Sequence, residues 1–229
     1  MNYIFRGFFR SLALLLISLI FSQRGFSQKD TAFLYREVRE DWYQAIYKAK
    51  NHSSLYNSLA KGFRIRPDYY NEVLQQIKDS SGGSVKHLKI NFPDEWYSLH
   101  QYKGKTYFYL PAEPHVNTFM KISDSTLILN YFNDGCIPAL LQKVDVINPQ
   151  KLIISTYSLY KEESQIIFHF FTGKRDIAVV EYPLREKNKF ELMAAKKSLS
   201  KYPLIVNFCR NGACNEWTFD TIDYKKLLR

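Results

Sequence analysis

The sequence predicts an α+β fold: two N-terminal helices packed on a largely antiparallel, curved β-meander, a sheet or barrel of about ten strands. Three observations predict it. Apolar residues recur at helical spacing early in the chain, Ser80-Ser81-Gly82-Gly83 then interrupts them, and beyond that joint the period drops to two and stays there.

A leader comes before the fold. Arg6 and Arg10 stand among ten residues without an acid, and Leu12–Phe21 (LALLLISLIF) is apolar apart from Ser18. Gly25-Phe26-Ser27 supplies a small-x-small site, so a signal peptide over residues 1–27, cleaved before Gln28, is expected. A spanning helix needs roughly 20 apolar residues; this run is half as long and is followed by Gln23 and Arg24. The chain is therefore expected to be exported to a periplasmic, envelope or extracellular space, with no transmembrane segment once mature. No cysteine follows the apolar run, so no lipid anchor is expected.

The division read from the sequence is a signal peptide over 1–27, a helical segment over 28–83 packed on the sheet, and an antiparallel β domain over 84–229. The 202 residues left after cleavage suffice for one domain able to bury roughly 70 % of its unfolded surface without a metal. Aromatic residues form 16 % of the chain, which suits strands. Losing the leader's three arginines leaves 29 basic against 22 acidic side chains, a net +7. These charges are scattered and interleaved with acids, the pattern of a solubilising surface, and nucleic acid is not the partner they suggest.

The first predicted helix covers Thr31–Lys50, with Leu34, Val38, Trp42, Ala45, Ile46 and Ala49 on one stripe and Asp30 as its cap. The second opens at Pro67, since proline is well tolerated in a first turn, and continues through Tyr70, Val73, Leu74 and Ile77. Among the strands, a turn at Lys103-Gly104 pairs Leu99 with Phe108 and Tyr97 with Leu110, and on the other face His100 with Tyr107 and Ser98 with Tyr109. A turn centred on Gly173-Lys174 pairs Phe170 with Ile177, Phe168 with Val179, Ile167 with Val180 and His169 with Ala178. Both faces of that second hairpin are apolar and need cover, one from the sheet's own core and the other from the N-terminal helices.

A disulfide is expected between Cys209 and Cys214. Asn211-Gly212 is a strong type I′ turn signal. Centring the turn there pairs Arg210 with Ala213, Cys209 with Cys214, Asn207 with Glu216, Val206 with Trp217 and Leu204 with Phe219. Non-hydrogen-bonded partners lie roughly 4.5 Å apart at Cα, within disulfide range. An exported protein meets the oxidising conditions required. Cys136 is left over as a buried thiol.

Residues that could carry chemistry are sparse. His52, His87, His100, His115 and His169 show no metal-ligand spacing, and Glu113-Pro114-His115 has no second histidine near it. Asp134-Gly135-Cys136 could place a nucleophile on a tight turn, but a catalytic thiol needs a lowered pKa and a partnered base that a sequence does not show, and a small buried thiol is the expectation. Asp94-Glu95 and Glu162-Glu163 read as loop charges, and Asn51-His52-Ser53 is a formal glycosylation sequon. No catalytic, metal or cofactor residue is assigned. The function expected is a non-catalytic ligand-binding β module taking an apolar or sugar-like ligand, with Trp96, Tyr107, Tyr109, Tyr131 and Phe168 as candidate lining. The alternative is an envelope or extracellular structural or interaction protein without a small-molecule site.

Overall fold

The computed structural model describes residues 32–50, 53–61, 67–82, 85–113, 119–129, 137–160, 162–183, 189–211 and 214–228. The leader, Asp30 and Cys136 lie outside them. By internal contacts the chain divides into Met1–Ala32 and Phe33–Arg229; apart from Ala32, every element below belongs to the second unit. In chain order these are β1 (Ala32–Arg39), β2 (Trp42–Lys48), α1 (Leu55–Lys61), α2 (Pro67–Ser80), β3 (Glu95–Tyr102), β4 (Lys105–Leu110), β5 (Phe119–Ile122) and β6 (Thr126–Leu129). Then come β7 (Ile137–Asn148), β8 (Lys151–Tyr157), β9 (Glu163–Phe171), β10 (Lys174–Tyr182), β11 (Lys189–Ala195), a 3-10 turn (Lys196–Lys201), β12 (Leu204–Arg210) and α3 (Tyr224–Leu227).

Eight strands close a barrel in the order β3-β11-β10-β9-β8-β7-β6-β5, with β5 returning to β3. Closure runs through Trp96, which faces Ala195 on one side and Met120 on the other. All of these pairings are antiparallel. The second half of β3 leaves the barrel, pairs with β4, and starts a side sheet in the order β3-β4-β12-β2-β1. Its β12–β4 contact is parallel.

Eight strands leave an interior just wide enough for side chains to fill, and here they fill it. Trp96, Met120, Ile154, Phe168, Val180 and Met193 are fully buried inside. The Trp96 and Phe168 rings lie 5.2 Å apart, and Phe168 stacks on Phe170 at 5.9 Å. On the outer wall Tyr97, Val179, Leu192 and Ala194 pack with Leu99, Phe108, Leu204 and Val206 of the side sheet and Leu59 of α1.

The helix expected over Thr31–Lys50 is the hairpin β1–β2. Its apolar spacing suits a helix, but β2 lies between β1 and β12, with Ile46 opposite Asn207 and Ala45 opposite Phe208. Gln44, Ala45 and Ile46 are consecutive and all buried, which a strand covered on two faces allows and a one-striped helix does not. The helix opening at Pro67 is α2, and its Val73 and Ile77 pack on Leu140 of β7. The outer face of the β9–β10 hairpin is therefore covered by the side sheet and α1, in place of the two expected helices.

Lys103 and Gly104 both adopt positive φ, 49° and 71°, as a type I′ turn requires. Leu99 faces Phe108 and His100 faces Tyr107, as expected. The expected pairs of Tyr97 and Ser98 are replaced by Ala194 and Met193 of β11, because β3 changes partner at that point. In the β9–β10 hairpin the turn falls one residue earlier, at Thr172-Gly173, with Gly173 at φ 71° and Lys174 opposite Phe171. The register then shifts through Arg175–Ile177, so Phe170 faces Ala178 and Phe168 faces Val180. Ala178 and Val180 point into the barrel and Val179 outward, one residue off the expected pairing, and both faces are buried.

The Cys209–Cys214 disulfide is present, with Cα atoms 6.0 Å apart and Asn211 at φ 58°. The ladder expected around it is not. β2 holds one edge of β12 from Ile205 to Arg210 and β4 the other at Leu204–Val206, where Trp217 and Phe219 were expected, and Cys214–Phe219 crosses the face of the side sheet without pairing as a strand. Trp217 and Phe219 pack there on Tyr107, Tyr109 and Ile205.

Candidate binding surface

Val85–Pro93 is an extended strap outside any strand, and its period-two pattern explains its position. Leu88, Ile90 and Phe92 pack against the barrel core, with the Phe92 ring 5.9 Å from Phe168. Lys89 and Asn91, on the alternate positions, are exposed. The strap is tied by Leu88 N–H donating to Asp124 O at 2.6 Å and by Trp96 Nε1 donating to Pro93 O at 2.7 Å. It covers the end of the barrel that carries the β5–β6, β7–β8 and β9–β10 turns. Pairing with β6 ends at Leu140, so the β7–β8 hairpin continues past it toward Asn148 and Lys151.

Two clefts open at this end. One of about 440 Å³ lies between the strap and the tips of β3, β10 and β11, lined by Asn91, Asp94, Glu95, Arg175, Lys196 and Lys197. Beside it is a hole of about 80 Å³, lined chiefly by Phe92, Val144, Val146, Leu152 and Phe170. Arg175 lines both, and it sits in the β10 register shift; irregularities of this kind re-aim side chains beside sites.

The carboxylates here mostly have partners. Glu95 takes Lys196 at 2.6 Å and Lys121 at 3.6 Å; Asp145 takes Lys143 at 3.0 Å; Asp124 faces His87 at 2.8 Å. Asp176 accepts from Lys201 and from Ser198, which hold its carboxyl down to about 2. At this end of the barrel Lys89, Lys151, Lys174, Arg175 and Lys197 have no ion-pair partner among the described residues, while of the five carboxylates Asp94, Glu95, Asp124, Asp145 and Asp176 only Asp94 has none.

A second polar cluster lies under the C-terminal segment. The Asn207 amide donates to Tyr109 OH at 3.1 Å, Asn215 O at 3.0 Å and Glu216 Oε2 at 3.1 Å, and its Oδ1 accepts from Gln44 Nε2 at 2.9 Å. Glu216 also accepts from the Tyr109 hydroxyl and from Glu113 N–H at 2.8 Å. Burial first, and the Glu216 carboxylate second, push the Tyr109 phenol upward. Next to it, where β3 and β11 part, a cleft of about 310 Å³ holds His100, Gln101, Lys189, Glu191 and Asp220. Burial lowers His100 to about 4, and its Nε2 has no hydrogen-bond partner while the ring stacks on Phe219 at 4.4 Å.

Of the residues considered from sequence, Trp96 and Phe168 fill the barrel, and Tyr107 and Tyr109 support the C-terminal segment. His169 faces Glu181 at 2.8 Å on the barrel wall, and Glu163 opens β9 opposite Tyr157. Asn51, His52, Pro114, His115, Tyr131, Asp134, Gly135 and Cys136 lie outside the described residues. Among the described residues no group of His, Cys, Asp and Glu could hold a metal, and no helix is long and apolar enough to cross a membrane. Arg175, Lys197 and the strap were not singled out by motif. The one sequence signal pointing there is Val146-Ile147, two large apolar residues placed directly before the Asn148-Pro149 turn. Compared with protein-family models, curated proteins and solved structures, the chain matches none.

Proposed function

We propose that the protein is an exported, non-catalytic binding module that meets an anionic partner at the strap end of its barrel. The observation carrying this reading is the set of five cations, Lys89, Lys151, Lys174, Arg175 and Lys197, gathered there without ion-pair partners among the described residues. A lysine or arginine left unpaired beside a cleft raises the local concentration of anions. The filled barrel weighs against an apolar or sugar-like ligand inside it and moves the binding surface outward. The Cys209–Cys214 disulfide is consistent with an oxidising, exported setting.

Calorimetric titration with dextran sulfate tests the reading. Wild-type protein is expected to bind at low ionic strength and to weaken as salt screens the charges. Arg175→Ala/Lys197→Ala is expected to bind at least about fivefold more weakly. Absence of binding at low salt, or equal binding by the double variant, refutes it.

A further inference from the structure

Resting on that reading, we propose that the anionic partner is a lipid bilayer surface, onto which the strap end of the barrel docks with the β7–β8 tip inserted. Val146 and Ile147 near the end of β7 are 66 % and 56 % exposed, and they are adjacent. Most other exposed large apolar residues are scattered singly elsewhere, on β1, β12 and the β8–β9 turn. The backbone accounts for this pair. The β7–β8 register shifts between Val146 and Asn148, so Ile147 is the extra residue of a bulge, while Val146 lies opposite Leu152 on the inward side but beyond the filled interior. Among the described residues nothing packs over either side chain far enough to bury it.

The surrounding chemistry selects the partner. Val146 and Lys89 line the same small hole with Arg175, and Lys151 begins the next strand opposite Asn148. Lys174 and Lys197 complete the cationic rim. A projecting apolar tip ringed by unpaired cations matches the boundary between acyl chains and anionic headgroups, where apolar insertion and charge attraction act together. Stable peripheral binding needs two such signals, and both are present at this end. A soluble polyanion would use the cations and leave the Val146-Ile147 tip in water.

Sedimentation with vesicles tests this. Purified protein is expected to partition onto vesicles of phosphatidylcholine with about one-third phosphatidylglycerol and not onto phosphatidylcholine alone. Each cation near such a surface contributes about fivefold to partitioning, so Arg175→Ala/Lys197→Ala should weaken it by more than about tenfold. Val146→Ser/Ile147→Ser should weaken vesicle partitioning about tenfold yet leave dextran sulfate affinity unchanged. If that apolar variant partitions as the wild type does, the membrane inference is overturned while the anion-binding reading stands. If the wild type binds dextran sulfate but no anionic vesicle, the partner is a soluble polyanion and the inference is again overturned. If the charge variant matches the wild type on both probes, both readings fall.

Discussion

Replacing Asn207 tests the reasoning about the C-terminal segment most directly, because one buried amide joins four elements of the structure. Its Nδ2 serves Tyr109, Asn215 and Glu216, and its Oδ1 takes Gln44. In Asn207→Ala, Asn215 O keeps Gln44, and Glu216 keeps Tyr109 and the Glu113 amide. Three neutral bonds and one charge-assisted bond are lost, and because each partner stays served by others, save for Gln44's second contact, the net cost is on the order of 3 kcal/mol. At about 2–4 °C per kcal/mol for a chain of this size, Tm should fall by roughly 6–12 °C.

Asn207→Asp separates this account from simple loss of packing. It is nearly the same shape, but it points an acceptor at Glu216 Oε2, where the amide now donates across 3.1 Å. A buried and a half-buried carboxylate then face each other, and at pH 8 the cost should exceed that of alanine, reaching about 4–5 kcal/mol. Repulsion and burial raise the new carboxyl's folded pKa above its unfolded value of about 3.9. The protonated folded form is thereby favoured, so the variant regains stability as pH falls below that raised value. Urea unfolding of wild type, Asn207→Ala and Asn207→Asp between pH 8 and pH 5 reads this out. An aspartate variant that is no worse than alanine at pH 8, or that gains nothing relative to alanine toward pH 5, refutes the bonding scheme.

Two further predictions concern the same region. Cys209→Ser/Cys214→Ser should cost about 2 kcal/mol, since the loop closed is short, and lower Tm by roughly 4–8 °C; thermal unfolding with no change in Tm would show that the crosslink contributes nothing. His100 has its folded pKa depressed from 6.5 to about 4, so the unfolded state takes up the proton first and stability drains away between those values as pH falls, by up to about 3 kcal/mol. His100→Phe should flatten that part of the pH–stability curve, and parallel curves for variant and wild type would contradict the burial argument.

What was legible in the sequence was what local chemistry alone decides. Lys103-Gly104 fixes a turn because both residues adopt positive φ, Pro67 opens a helix whose first turn needs no proline N–H, and Cys209 and Cys214 lie within reach whether or not their flanks pair. The errors arose where a distant partner decided. Nothing near Trp42–Lys48 reveals that β12 will claim it, and a spacing shared by helix and covered strand points locally to a helix. On the other edge of β12, β4 pairs with Leu204–Val206, the positions expected to face Phe219 and Trp217, which pack on the sheet's face instead. There the expected meeting of Asn207 with Glu216 occurs through side chains instead of across a hairpin.

The candidate surface was hidden for the same physical reason. Glycine at Gly173 sets the β9–β10 turn one residue early, and the mismatch with the inward Phe168–Val180 register is absorbed at Arg175–Ile177. That irregularity is what sets Arg175 over the strap and into both clefts. A second irregularity, at Ile147, turns an apolar side chain out beside the cationic rim. Neither is a motif; each consists of the residues left unpaired, three in β10 and one in β7, where the strand registers on either side do not match. A candidate surface built from register mismatches becomes visible only once strand partners are known, because each irregularity is defined by the strand it fails to match.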